Sequence, residues 1–239
     1  MHTLKRAVFV CAAMALFIPA AAAQTLDEIV AKNLEAKGGV ERLRGTQTMR
    51  LSGTLTQLGR RGTTVTLSKR PNFFRRELDV AGQKMMQGFD GTTLWMSVSG
   101  MPAQEMPAGP QTDALKRAVD FDAAFLDWKQ KGHTLEYKGK VTEGAKSYHH
   151  LVFTPKGGPP IEYYLDPETG LEAKTIMQVE SPGMKGKMET RFTDYRTIEG
   201  RTMPFVMTNF VDGAQVAQVR LDRVEFDVPL DDGLFKMPK

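Results

Sequence analysis

Cysteine is nearly absent from this sequence: Cys11 is the only one in 239 residues. It falls inside an N-terminal apolar run, so once that run is removed no thiol remains for a disulfide, a cysteine nucleophile or a thiolate metal site. A lipid-modified cysteine does not fit either, because Phe9-Val10 rather than a small residue precedes it. Long apolar runs are equally scarce. Ala7 to Ala23 is the single such stretch, and no other approaches the roughly 20 residues of a membrane-spanning helix. Histidine is rare too, and beyond the first 23 residues only His133, His149 and His150 occur. On a strand, His149 and His150 point to opposite faces and cannot share a metal. Gly-x-Ser-x-Gly, His-Glu-x-x-His and phosphate-loop patterns are all missing. The carboxylate pairs Asp120/Asp122 and Asp231/Asp232 lie at a helix junction and a terminal turn, where capping and solvation account for them. The expectation is a protein without metal, cofactor or active site.

What is present begins with export. Lys5 and Arg6 precede the apolar run, which ends in Ala20-Ala21-Ala22-Ala23 before Gln24. Positive start, short apolar centre and small-residue end make a cleavable signal peptide over 1–23, leaving 24–239 as a single domain in the periplasm. Removing Lys5 and Arg6 lowers the formal charge from +4 to +2. Acidic and basic residues alternate throughout, so the high isoelectric point is no sign of nucleic-acid binding. A soluble monomer is expected.

Thr25-Leu26-Asp27-Glu28 is a capping box, and Leu26, Ile29, Val30 and Leu34 recur at helical spacing until Gly38-Gly39. Val40 to Leu43 adds a short turn. From Thr46 the period drops to two. Five strands follow, the last two joined by an Asp90-Gly91 hairpin turn. The Pro- and Gly-rich stretch from Gly100 to Pro110 excludes a regular strand. Asp113 to Lys129 then carries Leu115, Phe121, Phe125 and Trp128, read as two short helices parted near Asp120. Seven more strands follow, including Tyr148–Thr154, Ile161–Leu165 and Gln215–Phe226, with tight turns at Asp166–Gly170 and Asp212-Gly213.

Eleven or twelve strands are too many for a flat sheet. Twist should curl them into an unclosed antiparallel β-barrel, a half-barrel, around space that few side chains can fill. The mainly β fold with an α lid follows: the N-terminal helix and the helical insert cover an apolar cavity. Alternation nominates Leu55, Leu67, Leu78, Leu94, Met96, Met177, Phe192, Phe205, Met207 and Leu221 as lining, with Phe121, Phe125 and Trp128 facing them from the lid. Twelve methionines beyond the signal segment suit a surface that adapts to irregular ligands, and equally suit an ordinary core.

Two groups of residues carry a family resemblance. Lys69-Arg70-Pro71-Asn72-x-Phe74, followed by Asp90-Gly91-x-Thr93-Leu94-Trp95, resembles the LolA/LolB-like periplasmic lipoprotein carriers. Tyr164-Leu165-Asp166-Pro167-x-Thr169-Gly170, Phe192-x-Asp194-Tyr195, Gly200-x-x-x-Pro204-Phe205 and the tail Leu230 to Phe235 resemble broader lipoprotein-sorting relatives. The resemblance implies a carrier of acylated lipoprotein or lipid, loaded by an inner-membrane transporter and unloaded at an outer-membrane acceptor. It also implies that Arg70 helps hold the lid shut and that Phe74 faces the cavity; a strand-end arginine paired to a carboxylate is the plainer reading of Arg70. Two features depart from the pattern. Arg76 stands where a cavity-facing aromatic is expected, and the Gly100–Lys129 insert is long. Envelope assembly or regulatory binding on the same fold is the alternative.

Overall fold

In this computed structural model residues 24–181 and 184–238 are described; the expected signal segment, and Pro182-Gly183 of one expected turn, lie outside them. The capping box forms as read. Thr25 Oγ1 accepts from Glu28 N (3.3 Å) and the Glu28 carboxylate accepts from Thr25 N (2.8 Å), starting α1 (Leu26–Ala36). Helix α2 (Val40–Gly45) follows. The first sheet half comprises β1 (Thr48–Gln57), β2 (Arg60–Lys69), β3 (Phe73–Val80), β4 (Gln83–Phe89), β5 (Leu94–Val98) and β6 (Gln104–Glu105). After α3 (Pro110–Ala118) come β7 (Thr134–Glu143), β8 (Lys146–Thr154), β9 (Ile161–Leu165) and β10 (Glu172–Ser181). They are followed by β11 (Met184–Ile198), β12 (Arg201–Val211), β13 (Ala214–Phe226) and a 3-10 turn at Asp232–Phe235.

These strands make one sheet in the order β6-β5-β4-β3-β2-β1-β13-β12-β11-β10-β9-β8-β7. Every neighbouring pair is antiparallel, and β6 and β7 end the sheet without meeting, so the barrel is open. The count is thirteen rather than eleven or twelve, because the Pro-rich stretch contributes the two-residue β6, bridging Trp95 to Glu105 and Met96 to Gln104. The insert also differs from expectation. Only its first half is a helix; residues 121–132 run as turns and bends. Asp120 Oδ1 accepts from Asp122 N (3.1 Å), and Asp127 adopts a φ of 56°, both of which break a helical path.

Cross-strand partners share a face, so the register sorts the side chains. The inner face carries Met49, Leu51 and Leu55 of β1, Phe74 and Leu78 of β3, and Phe89 and Leu94 of β4 and β5. Three apolar clusters lie on it. Phe74, Phe89 and Leu94 pack beneath Leu115 and Val119 of the insert. Ile29, Val30 and Leu34 of α1, with Phe125 and Leu126, pack on Leu135, Leu151, Phe153 and Leu165 at the other end. Between them, Phe205, Leu221 and Val224 join Leu51, Met203, Met207 and Phe226, a cluster drawn from strands alone.

Helix α1 is pinned where the Asp166–Gly170 turn was read. Asn33 Nδ2 donates to Gly170 O (2.8 Å) and Lys32 Nζ to Pro167 O (2.6 Å). Gly170 has a φ of 77°, and a Cβ there would stand 2.9 Å from Lys32 Cγ, so the close approach requires glycine.

Leu67 corrects the expected lining. It pairs with Arg50 and Arg75, on the outer face, as does Val65 with Ser52 and Glu77. Beside Leu67 the C-terminal segment packs on that face. Trp95 Nε1 donates to Phe235 O (2.7 Å), Arg75 Nη1 to Leu234 O (2.8 Å) and Lys69 Nζ to Leu230 O (2.8 Å), while the Phe73 and Phe235 rings lie 5.5 Å apart.

Candidate functional site

The site is built around the end of β2. Arg70 Nε donates to Thr46 O (2.7 Å), and its Nη2 donates to Leu43 O (3.1 Å) and Asp122 Oδ1 (2.5 Å). Its guanidinium also lies 4.8 Å from the centroid of Phe121. One planar fork thus ties the end of α2 to the turn-rich half of the insert, a geometry lysine cannot copy. Arg70 is paired to a carboxylate, Asp122, which sits on the turn-rich half of the insert. A second fork repeats the device, Arg44 Nε to Asp127 Oδ2 (3.1 Å) and Arg44 Nη2 to Asp127 Oδ1 (2.5 Å). Lys131 joins Asp120 and Asp122, each at 2.8 Å.

Beneath this latch lies a cavity of about 220 Å³. Phe121 and Ala123 roof it; Leu43 and Thr46, with Met49, Met203 and Phe226 from the strands, wall it. Its cations are already engaged. Lys37 pairs with Glu172, and Arg201 Nη2 contacts Asp227 Oδ2 at 2.6 Å. What remains is a half-open, largely apolar hollow over the strand-only cluster, bordered by a loop held on ion pairs.

Burial pushes Asp122 upward, but the hydrogen bonds and charges of Lys131 and Arg70 outweigh it and hold the carboxyl below the ordinary 3.8. The hydrogen bond from Arg44 does the same for Asp127. A depressed carboxyl stabilises the folded form above its unfolded pKa, and that contribution is lost as pH falls through the folded value. Amide protection factors across residues 119–133, which remove the intrinsic pH dependence of exchange, should therefore hold between pH 8 and 5 and fall below pH 3.8, before the sheet melts. Protection of this segment that is the same below pH 3.8 as at neutral pH contradicts the latch.

Of the residues read from sequence, Phe121 lines the cavity and Arg70 stacks on it. Leu55, Phe205, Met207 and Leu221 lie on the inner face in mid-sheet, and Met177 and Phe192 continue it on β10 and β11. Leu78 and Met96 also face inward, Met96 with 38% of its surface exposed. Phe74 and Leu94 are packed under the insert, and Phe125 and Trp128 belong to the cluster below α1. Leu67 is on the other face. Met49, Met203 and Phe226 were missed. Met49 shares the parity of Leu51, and Met203 that of Phe205, so alternation could have found both. Phe226 could not be found so, because a bulge at Ser52/Gly53 lets Leu221 and Val224 share a face.

His149 and His150 are separated as expected. His149 Nδ1 lies 2.9 Å from Tyr137 Oη, whereas His150 stacks on Tyr164 on the outer side. Among the described residues no three His, Cys, Asp or Glu side chains are placed to hold a metal ion, and no helix is long and apolar enough to cross a membrane.

Neither a family model nor a curated protein matches the sequence. Solved structures do match in shape. LolA superfamily protein NE2245 from Nitrosomonas europaea superposes with a TM-score of 0.56 at 12% identity, over 90% of this chain and 98% of that one. This chain has the LolA-superfamily fold. A domain from Vibrio parahaemolyticus described as of the outer membrane lipoprotein-sorting kind gives 0.54 at 10% identity, covering 87% and 94%. A DUF1329 family protein from Desulfovibrio piger gives 0.56 at 11% identity, covering 88% and 96%. The LolA-like architecture therefore extends over nearly the whole described chain.

Proposed function

We propose that this protein is a periplasmic carrier that takes acyl chains of a lipid or lipoprotein onto the inner face of its half-barrel for transfer toward the outer membrane. It is a binding protein rather than an enzyme, exported through the 1–23 signal segment. The observation that carries this reading is the Arg70 fork: it fastens a loop, not a helix of the scaffold, over an apolar hollow. A permanent core has no need of a polar latch at its edge.

The cavity, about 220 Å³ and half open, falls below the roughly 300–1,000 Å³ of ordinary small-molecule sites. Cargo therefore enters with the loop raised, and acyl burial replaces the loop's own contacts. Each buried methylene contributes about 0.8 kcal/mol, so a single long chain outweighs the few apolar contacts made by Phe121 and Ala123. Release needs an acceptor of higher affinity or a partner that holds the loop open. An inner-membrane donor and an outer-membrane acceptor are the partners of this scheme.

Protein purified without detergent should retain lipid, detected by mass spectrometry of organic extracts. Delipidated protein should then take up a fluorescent fatty acid or its methyl ester. Clean extracts and no uptake of either probe overturn the carrier reading in favour of an envelope-assembly or regulatory domain with a filled core.

A further inference from the structure

Arg76 is unlike the other arginines around it. Arg70 holds Asp122 and Arg75 holds Glu77, whereas among the described residues Arg76 has no carboxylate or carbonyl partner. It lies on the inner face between Phe74 and Leu78, with its guanidinium 5.4 Å from the centroid of the Phe74 ring. In register, Thr66 of β2 and Gln87 of β4 flank it. This polar row continues into Leu51 and Val224 on one side and Met96 on the other. The side chain is exposed to solvent although protein rises around it, as on the floor of an open concave surface. Desolvation holds its pKa below the ordinary arginine value, and no acidic group acts in the opposite direction. A partly desolvated cation with no partner, standing over an aromatic ring on the concave face, is free to take a bound anion.

On the carrier reading above, we infer that Arg76 is the head-group site of the inner face and that the cargo is a single-chain amphiphile ending in a carboxylate. Acyl chains joined through esters and amides, as in a lipoprotein, bring no charge to such a site. A carboxylate does, and the guanidinium can grip it with two parallel hydrogen bonds while Thr66 and Gln87 supply neutral donors. One unpaired cation matches one negative charge. The cavity of about 220 Å³, over the strand-only cluster, matches one chain better than two.

The test is equilibrium binding of cis-parinaric acid and of its methyl ester, which differ only in charge, to the purified protein. Wild type should bind the acid about tenfold more tightly than the ester, the size of a hydrogen bond to a charged group. Arg76→Gln should bind both at the level of the ester, and Arg76→Lys should recover part of the preference. Removing an unpaired charge should not unfold the sheet, which a melting curve checks, and the wild-type comparison needs no variant at all. Equal binding of acid and ester by wild type overturns this inference while leaving the carrier reading intact; binding of neither removes both. If hexadecyl phosphate displaces the acid at much lower concentration than palmitate does, the head group is a phosphate and the carboxylate assignment is wrong.

Discussion

Trp95→Ala should lower the free energy of unfolding by about 3–5 kcal/mol, the largest single loss expected in this chain. Trp95 is fully buried, on the outer rather than the inner face, and its indole N–H is satisfied by Phe235 O at 2.7 Å. The indole lies flat against Gly88, where a Cβ would come within 2.3 Å of the ring. Truncation leaves a cavity, frees the Phe235 carbonyl and loosens the tail that also receives Arg75 and Lys69. For a chain of this length the midpoint of thermal unfolding should fall by about 10 °C. Gly88→Val should act in the same direction by displacing the ring. Calorimetry decides it. A fall of less than 2 °C for Trp95→Ala shows that the tail is not part of the cooperative unit.

Arg70→Ala should act locally instead. It removes three hydrogen bonds and leaves Asp122, only 11% exposed at its side chain, with Lys131 as its remaining cation. Bonds to charged groups contribute about 1.5–3 kcal/mol, so opening of residues 119–133 should become about 10- to 150-fold more frequent. Amide exchange should report that increase there and little elsewhere, and release of a bound fluorescent acyl probe should speed up in step. Arg70→Lys should fail to restore either, because an ammonium cannot reach Thr46 O, Leu43 O and Asp122 in one plane. Exchange that rises uniformly over the sheet places Arg70 in the scaffold and not in a latch.

The strands and α1 were legible because each has its own period. Leu26, Ile29, Val30 and Leu34 recur as only a helix face requires, and Asp166–Gly170 has the turn chemistry that later receives α1. The open-barrel expectation also followed from sequence, since so many short antiparallel strands must curl. The second half of the insert was misread for a physical reason. Phe121, Phe125, Leu126 and Trp128 are spaced as in a helix, but their positions are set by packing and by the ion pairs of Asp122 and Asp127, which lie far away in sequence.

Leu67 shows the limit most plainly. Its alternation with Thr66 and Ser68 is written in the chain, yet alternation states only that two faces differ and not which one is inside. Here the inward residues of β2 are Thr64, Thr66 and Ser68, and the apolar ones point outward, Leu67 beside a C-terminal tail that packs on that face. Local sequence determined the elements, their turns and the candidate arginine. Only the tertiary structure decided which face is enclosed, that Arg70 reaches Asp122 across 52 residues, and that Arg76 has no such partner, because pairing between distant segments is fixed by the curl of the sheet and not by any local period.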